Sequence, residues 1–421
     1  MTNAATETNH TNVPHYRTPV ELDALVHKVE TFIREVVIPA EPAPGNNLEP
    51  RTRDELRAAA REAGVYAPHV PTEWGGLGLP LAQWPRVFEA AGYSPIGAVA
   101  LNCMAPDEGN MHMLGQIASQ QQKQQFLAPL AAGEFNSCFG MTEPHPGTGS
   151  DPSQLSTTAE RTADGWVING EKRFSSGANT AGFMIAMART GDEGQATMFL
   201  VPMETPGLEI TRQINTIDTV IGGGHPYVEL KNVHVSDSAV LGEVHRGLEY
   251  AQVRLGPARL THCMRWLGLA TRAQNIALDR AREREVFGAK LEDQGIAQEM
   301  LAQSEIDIET SRSLIFRTAQ LLDDEFREGT KLSSVAKVFC SEAIHRVIDR
   351  AMQLCGGDGV SDDLPLAQYA NEVRPFRIYD GSTETHKMAI AKRASRRRRR
   401  AVEVQSPAPA SADRKADPTQ S

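Results

Sequence analysis

The hydrophobic period of this chain changes twice along its length, and that change limits its possible folds more than any single residue does. In residues 18–131 apolar side chains recur every three or four positions. Leu22, Leu25, Val29, Phe32 and Val36 mark one face of an amphipathic helix, and a second helix over residues 51–64 stops at Gly64. In residues 138–242 the runs are short, β-prone and broken by turn residues, with Asp164-Gly165 as a hairpin signal between two strands. From about residue 248 the helical period returns in three long runs, residues 261–285, 292–326 and 333–357. The last of these ends on Gly356-Gly357 as a C-cap, and a final helix begins near Ser382. The order helical, β, helical predicts an α+β multidomain chain: residues 18–135, 136–245 and 246–395, between a disordered 1–17 and a basic, then low-complexity, 396–421.

Composition removes several classes of function. No stretch approaches the roughly 20 apolar residues that cross a bilayer, and the polar start lacks the basic-then-apolar pattern of a secretory signal. Five scattered cysteines make neither a disulfide framework nor a paired metal knuckle, so no metal is expected, and a reducing, cytoplasmic setting suits them. Net charge is −10, and the body of the chain is more acidic still because five arginines crowd into residues 396–400. An acidic body argues against a nucleic-acid surface; the arginine run reads first as the solvated end of a helix.

The familiar motifs are missing: there is no GxGxxG after a strand, no GxxxxGK[ST], no HExxH, no CxxC and no GxSxG. His262 and His225 stand alone and read as structural. What remains is a set of segments. Thr142-Glu143-Pro144 follows Met141 and precedes Gly149-Ser150-Asp151. Residues 71–78 carry Pro-x-Glu-x-Gly-Gly-x-Gly. Asn169-Gly170-Glu171-Lys172 leads into Phe174, Ser175 and Ser176. Arg284, Phe287, Gly288, Leu291 and Gln294 form a spaced set, as do Gln353, Gly356, Gly357 and Gly359. Ile378-Tyr379-Asp380-Gly381-Ser382-Thr383-Glu384 closes the series. A Thr-Glu-Pro alone is more often a plain turn, a lone Phe174 more often core, and a lone Arg284 more often solvated surface.

Together, in order and spacing over residues 18–395, these segments resemble the acyl-CoA dehydrogenases. The resemblance implies a helical domain, a β-barrel domain and a C-terminal four-helix bundle. It implies FAD as cofactor, touched by Met141, Thr142, Phe174, Ser176, Ser382 and Glu384. Arg284, Phe287, Gln294, Gln353, Gly356 and Gly357 match residues that reach the FAD of a neighbouring subunit, so a homotetramer or homodimer is implied. Ser150, Arg259 and Gly381 match residues on the acyl-CoA substrate, although Gly256 stands where many relatives have Asp. The family's base is the Glu of its IYEGT segment; here that position is Asp380, one methylene shorter. The expectation is that Asp380, its pKa raised by an apolar pocket, takes the α proton while hydride passes from the β carbon to flavin N5. Ala258, where some relatives place their base, cannot serve. An Asp-base branch whose animal members carry a fused kinase-like domain is the nearest in local sequence. Electron-transfer flavoprotein is the implied partner. Two rivals stay open: a flavin oxidase or monooxygenase on the same scaffold, acting on a nitroalkane or a biosynthetic intermediate, and a non-catalytic binding protein that uses the basic tail.

Overall fold

The computed structural model describes residues 16–191 and 194–405. The disorder expected of the two ends therefore falls mostly outside the described residues. The N-terminal part is helical: α1 (Pro19–Phe32), α2 (Pro50–Glu62), α3 (Trp84–Ala91) and α4 (Asp107–Ile117), with shorter turns between them. Helix α1 starts where it does because Thr18 and Glu21 form a capping box and Pro19 sits at the first helical position. Its Leu22, Leu25, Val29 and Phe32 are buried, as the spacing predicts, and its period widens to a π-turn over Ile33–Val37.

The middle of the chain is one eight-stranded sheet: β1 (Asn136–Gly140), β2 (Thr158–Thr162), β3 (Gly165–Lys172), β4 (Ala181–Arg189), β5 (Ala196–Pro202), β6 (Leu208–Ile214), β7 (His225–Val235) and β8 (Val240–Leu241). The strand order is β6-β7-β3-β2-β4-β5-β8, and β1 pairs with β4 in parallel. Leu208 of β6 and Val201 of β5, near opposite ends of that order, share one apolar core with Ile168, Met184, Phe199 and Val228. The sheet is thus folded over on itself in the manner of a barrel. Strands β4 and β5 read as unbroken apolar runs because both faces are covered: Met184 and Ala186 face the sheet's own core, while Phe183, Ile185 and Met187 join the helical core.

The C-terminal part is α5 (Gly247–Glu283), α6 (Gly295–Asp324), α7 (Phe326–Cys355), α8 (Leu366–Val373) and α9 (Thr383–Gln405). Two helices depart from the sequence expectation. Helix α5 begins well before residue 261 and runs through Pro257. Gly256-Pro257 has the composition of a break, but Leu255, Ala258 and Leu260 are buried on either side, and that packing outweighs the lost hydrogen bond. Helix α9 runs on to residue 405, past the expected boundary at 395, and carries the five arginines of residues 396–400 as the exposed helical end that the run first reads as. Where α3 meets α5 the backbones nearly touch: a Cβ on Gly268 would lie 2.1 Å from the Glu89 carbonyl oxygen, so only glycine allows this crossing. The crossing holds residues 259–266 of α5 against the N-terminal domain. Among the described residues no helix is long and apolar enough to cross a membrane, and no group of three metal-binding side chains occurs. The five cysteines are free and buried.

Candidate active site

Asp380 sits in the turn that leads into α9. Its backbone is left-handed, φ +52°, a conformation that Asp tolerates better than most residues. Gly381 follows at φ +96°, and a Cβ there would lie 2.7 Å from His386 Nε2. Side chains from three helices pin this turn. Arg259 Nε of α5 donates to the Asp380 carbonyl at 3.1 Å, Lys337 Nζ of α7 donates to the Gly381 carbonyl at 2.6 Å, and His386 Nε2 of α9 lies 3.1 Å from the Asp380 carbonyl. Ser382 Oγ accepts from the Thr385 N–H and caps α9, while Glu384 is exposed on its first turn.

The Asp380 side chain is 19% exposed, and its Oδ2 lies 2.9 Å from His262 Nε2. His262 is therefore not a lone structural histidine. Its other nitrogen, Nδ1, meets Arg265 Nη2, and Arg265 in turn lies 3.7 Å from the buried Glu108 of α4. Burial, together with the Arg265 charge, pushes His262 down to about 3, so the imidazole is neutral. The expected rise in the Asp380 pKa does not occur. Burial does work toward a rise, but the hydrogen bond from His262 and the charges of Arg254 and Arg259 outweigh it and hold the carboxyl well below its ordinary range. The pocket around this acid is cationic, not apolar.

On the sheet side, Phe174 stands at φ +52° and is 41% exposed, which excludes a core role. Arg173 lies over its ring at 4.6 Å. Ser176 Oγ is 2.8 Å from His225 Nδ1, and His225 Nε2 is 3.1 Å from Asp218 Oδ2, so His225 too is engaged. Met141 and Thr142 are half-buried beside this strand end, where the Thr142 carbonyl accepts from the Arg173 N–H at 2.9 Å. Below them Glu143 and Lys172 form a wholly buried ion pair at 2.7 Å. Burial lowers Lys172 to about 8 but leaves it charged at neutral pH, and Glu143, despite its own burial, is held down at about 2 by that ammonium. Ser150 lies exposed on the following loop.

Sheet and bundle meet at this place. Glu372 of α8 accepts from the N–H and Oγ1 of Thr219, next to Asp218, at 2.8 and 2.7 Å. The Asp218 charge also acts on Tyr379, the neighbour of Asp380. The remaining predicted residues lie elsewhere. Arg284 follows the end of α5, about 36 Å along the helix from Arg259. Near it a two-strand hairpin turns at Phe287, which is fully exposed at φ +50°, and Gln294 Nε2 braces that hairpin through the Val286 carbonyl. An Arg280–Asp358 ion pair at 2.8 Å ties this end to Gly356 and Gly357, which have open space where a Cβ would point. Gln353 is exposed one turn back on α7.

Family models for the acyl-CoA dehydrogenase N-terminal, middle and C-terminal domains match residues 19–134, 138–233 and 245–395 in that order. The chain belongs to the acyl-CoA dehydrogenase family. It is an oxidoreductase of that family, whose cofactor is FAD. It is similar to the probable acyl-CoA dehydrogenase FadE2 of Mycobacterium tuberculosis, 37% identical over 83% of this chain and 87% of that one. It is also similar to acyl-CoA dehydrogenase family member 11 of Gallus gallus, 36% identical over 87% of this chain, but the match spans only 49% of that longer protein. A solved Mycobacterium abscessus protein classed with the acyl-CoA dehydrogenases superposes with a TM-score of 0.84 at 33% identity, covering 91% of this chain and all of that one.

Within this acyl-CoA dehydrogenase, the side chains that sequence reasoning missed are His262, Arg265, Glu108, Lys337, His386, His225 and Asp218. Three had a local signal: His262 and Arg265 follow Arg259 at i, i+3 spacing on α5, which places them along neighbouring turns, and His386 stands six residues after Asp380. The others come from distant parts of the chain.

Proposed function

We propose that the chain removes hydrogen across the α and β carbons of an acyl-CoA thioester, with Asp380 taking the α proton. One observation carries this reading: an ionised, largely buried carboxylate stands at the seam between sheet and bundle, with its backbone pinned from three helices. As the α proton leaves, negative charge passes from Asp380 to the substrate, and Arg254, Arg259 and Lys337 are already in place to offset it. Bound FAD supplies the acceptor for the hydride that leaves the β carbon. Met141, Thr142, Phe174 and Ser176 would hold its ring end, and Ser382 and Glu384 lie beside them in the family pattern. The residues fit such a ring: Phe174 is an exposed aromatic with a left-handed backbone, and Arg173 Nε beneath it is buried without a partner. Ser150, Arg259 and Gly381 would face the acyl-CoA.

Arg284, at the far end of α5 from Arg259, and Phe287, Gln294, Gln353, Gly356 and Gly357 around it match family residues that reach the FAD of a neighbouring subunit. They serve the FAD of a second copy, which makes the enzyme a homodimer or homotetramer. Electron-transfer flavoprotein as electron acceptor, and a cytoplasmic site consistent with five buried thiols, belong to the same reading. The test is anaerobic titration of the yellow protein with a panel of acyl-CoAs. Flavin bleaching by at least one thioester, lost in Asp380→Asn, supports the proposal. No bleaching by any thioester, together with turnover of a nitroalkane, overturns it.

A further inference from the structure

We propose that His262, locked in one tautomer by Arg265, is a positioning residue that ties down Oδ2 of Asp380 and leaves Oδ1 as the oxygen that receives the substrate proton. This rests on the reading of Asp380 as the base. Arg265 decides the tautomer. A guanidinium has only donors and stays charged in any protein. With Nη2 of Arg265 against His262 Nδ1, that nitrogen must be a bare acceptor, so the single imidazole proton sits on Nε2 and is donated to Asp380 Oδ2 at 2.9 Å.

Nothing in the surroundings lets the ring turn over. Its centroid lies 4.5 Å from that of Tyr379 and 5.9 Å from that of Phe376. Arg265 is held in turn by its stacking over Trp266 at 5.2 Å and by Glu108, whose Oε1 accepts from Thr261 Oγ1 at 2.8 Å. Trp266 Nε1 donates to Tyr379 Oη at 2.6 Å and closes the cage. The carboxylate therefore cannot rotate freely about its last bond. The groups that act on it are Arg254, Arg259 and His262 on α5, Lys337 on α7, Glu108 on α4, His386 on α9 and the adjacent Tyr379; among them His262 makes the direct side-chain hydrogen bond to the carboxylate.

The relay works in two opposed directions. A donated N–H favours the charged carboxylate and so weakens the base; one pKa unit changes a proton-transfer rate by at most about tenfold. Misplacing a reacting atom by about 1 Å changes it by roughly 100-fold. For a base one methylene shorter than Glu, orientation therefore outweighs basicity.

The experiment uses the FAD-loaded enzyme, with the thioester that bleaches it best, and compares His262→Leu, His262→Gln, Arg265→Met and Asp380→Asn. In His262→Leu, kcat should fall about 100-fold with KM within about threefold. Loss of the donor should also raise the Asp380 pKa, so that its acid limb enters the kcat profile from below the accessible pH range. His262→Gln offers an amide N–H at similar reach and should regain at least about tenfold of the loss. Arg265→Met frees Nδ1 to take a proton, and a second titration should appear in the profile below pH 7. If Asp380→Asn is dead while His262→Leu keeps the wild-type kcat and acid limb, the relay is wrong and the base stands. If Asp380→Asn turns over normally, the reading of the base has failed instead. Should His262→Leu not fold, an Arg265→Met profile with no second titration overturns the relay, and a new titration there supports it.

Discussion

The two ends of the stretch that runs from Arg259, in the middle of α5, to Gln294, past the hairpin that follows the helix, show opposite ways of using polar residues. Around residues 259–265 charged groups are packed inside the protein and answered there: Arg259 by a carbonyl, His262 by a carboxylate and a guanidinium, and Glu108 by Thr261. Around residues 284–294 the functional candidates face outward. Arg284 is exposed, Phe287 is fully exposed in a left-handed backbone, and Gly356 and Gly357 are open. A buried polar group must find its partner within the fold. An exposed phenylalanine held in a strained conformation is instead what a contact with another molecule requires. The first end is finished by the chain itself; on the proposed reading the second is completed by another copy.

The largest expected effect breaks the first end. Asp380→Asn should lower kcat by about 10²–10⁴-fold, the range for losing a general base, with FAD still bound. Arg284→Ala breaks the second end. It should weaken FAD binding by about 10–100-fold, the worth of a charge-assisted hydrogen bond, and leave Asp380 untouched. Combining the two variants separates the ends more finely. If the ends serve sites in different subunits, mixing the two variants at an FAD concentration that leaves Arg284→Ala unloaded makes hybrids with one intact site, and about a quarter of wild-type activity should return in a dimer. Absence of complementation in verified hybrids would show that both ends act within one chain.

A smaller effect is expected where neither end is touched. The Glu143–Lys172 pair lies under the sheet face of the site, and Lys172 also donates to the Met187 carbonyl at 2.6 Å. Lys172→Met leaves Glu143 charged and unpaired in the interior, which costs about 3–5 kcal/mol. A lowered Tm with little change in the kcat of the surviving fold would assign these residues to the scaffold; an unchanged Tm would count against it.

The sequence made Asp380 visible because its neighbours Tyr379 and Gly381 sit in a local pattern, and helix period exposed the outer domains. What it hid was set at long range. His262 lies 118 residues from Asp380, and Lys337 lies 44 residues from Gly381, so no spacing relates them. The Asp380 pKa departs from expectation for the same reason: an acid's neighbours in sequence do not reveal which cations fold against it. Glu143 and Lys172 were in plain view inside two motifs, yet their pairing crosses from β1's loop to the end of β3 and appears only once the sheet is formed. The start of α5 was masked by Gly256-Pro257, a local signal overridden by burial.

Acid acts on several buried groups at once, and the share of any single one is the smallest effect considered. Burial pushes His69 and His262 down to about 3 and His112 and His386 down to about 4, whereas each titrates near 6.5 in the unfolded chain. The unfolded state therefore binds more protons below pH 6.5, and the stability these groups contribute is lost as pH falls, by up to about 1.4 kcal/mol per unit for each. Asp107, Glu108 and Glu372, all raised by burial, act in the other direction, Asp107 most visibly. Burial raises it to about 6 against its Ser137 hydrogen bonds, so the cost of its charge is relieved once pH drops below that value. Four histidines against this offset predict a Tm that falls between pH 6.5 and 5. His69 is the place to check, because both of its ring nitrogens are buried without a partner and its ring stands edge-on to Trp84 and Phe88. His69→Phe removes one titrating group from an apolar site, so the drop in Tm over that window should shrink by one proton's share. An unchanged slope would mean that His69 is not neutral in the folded protein.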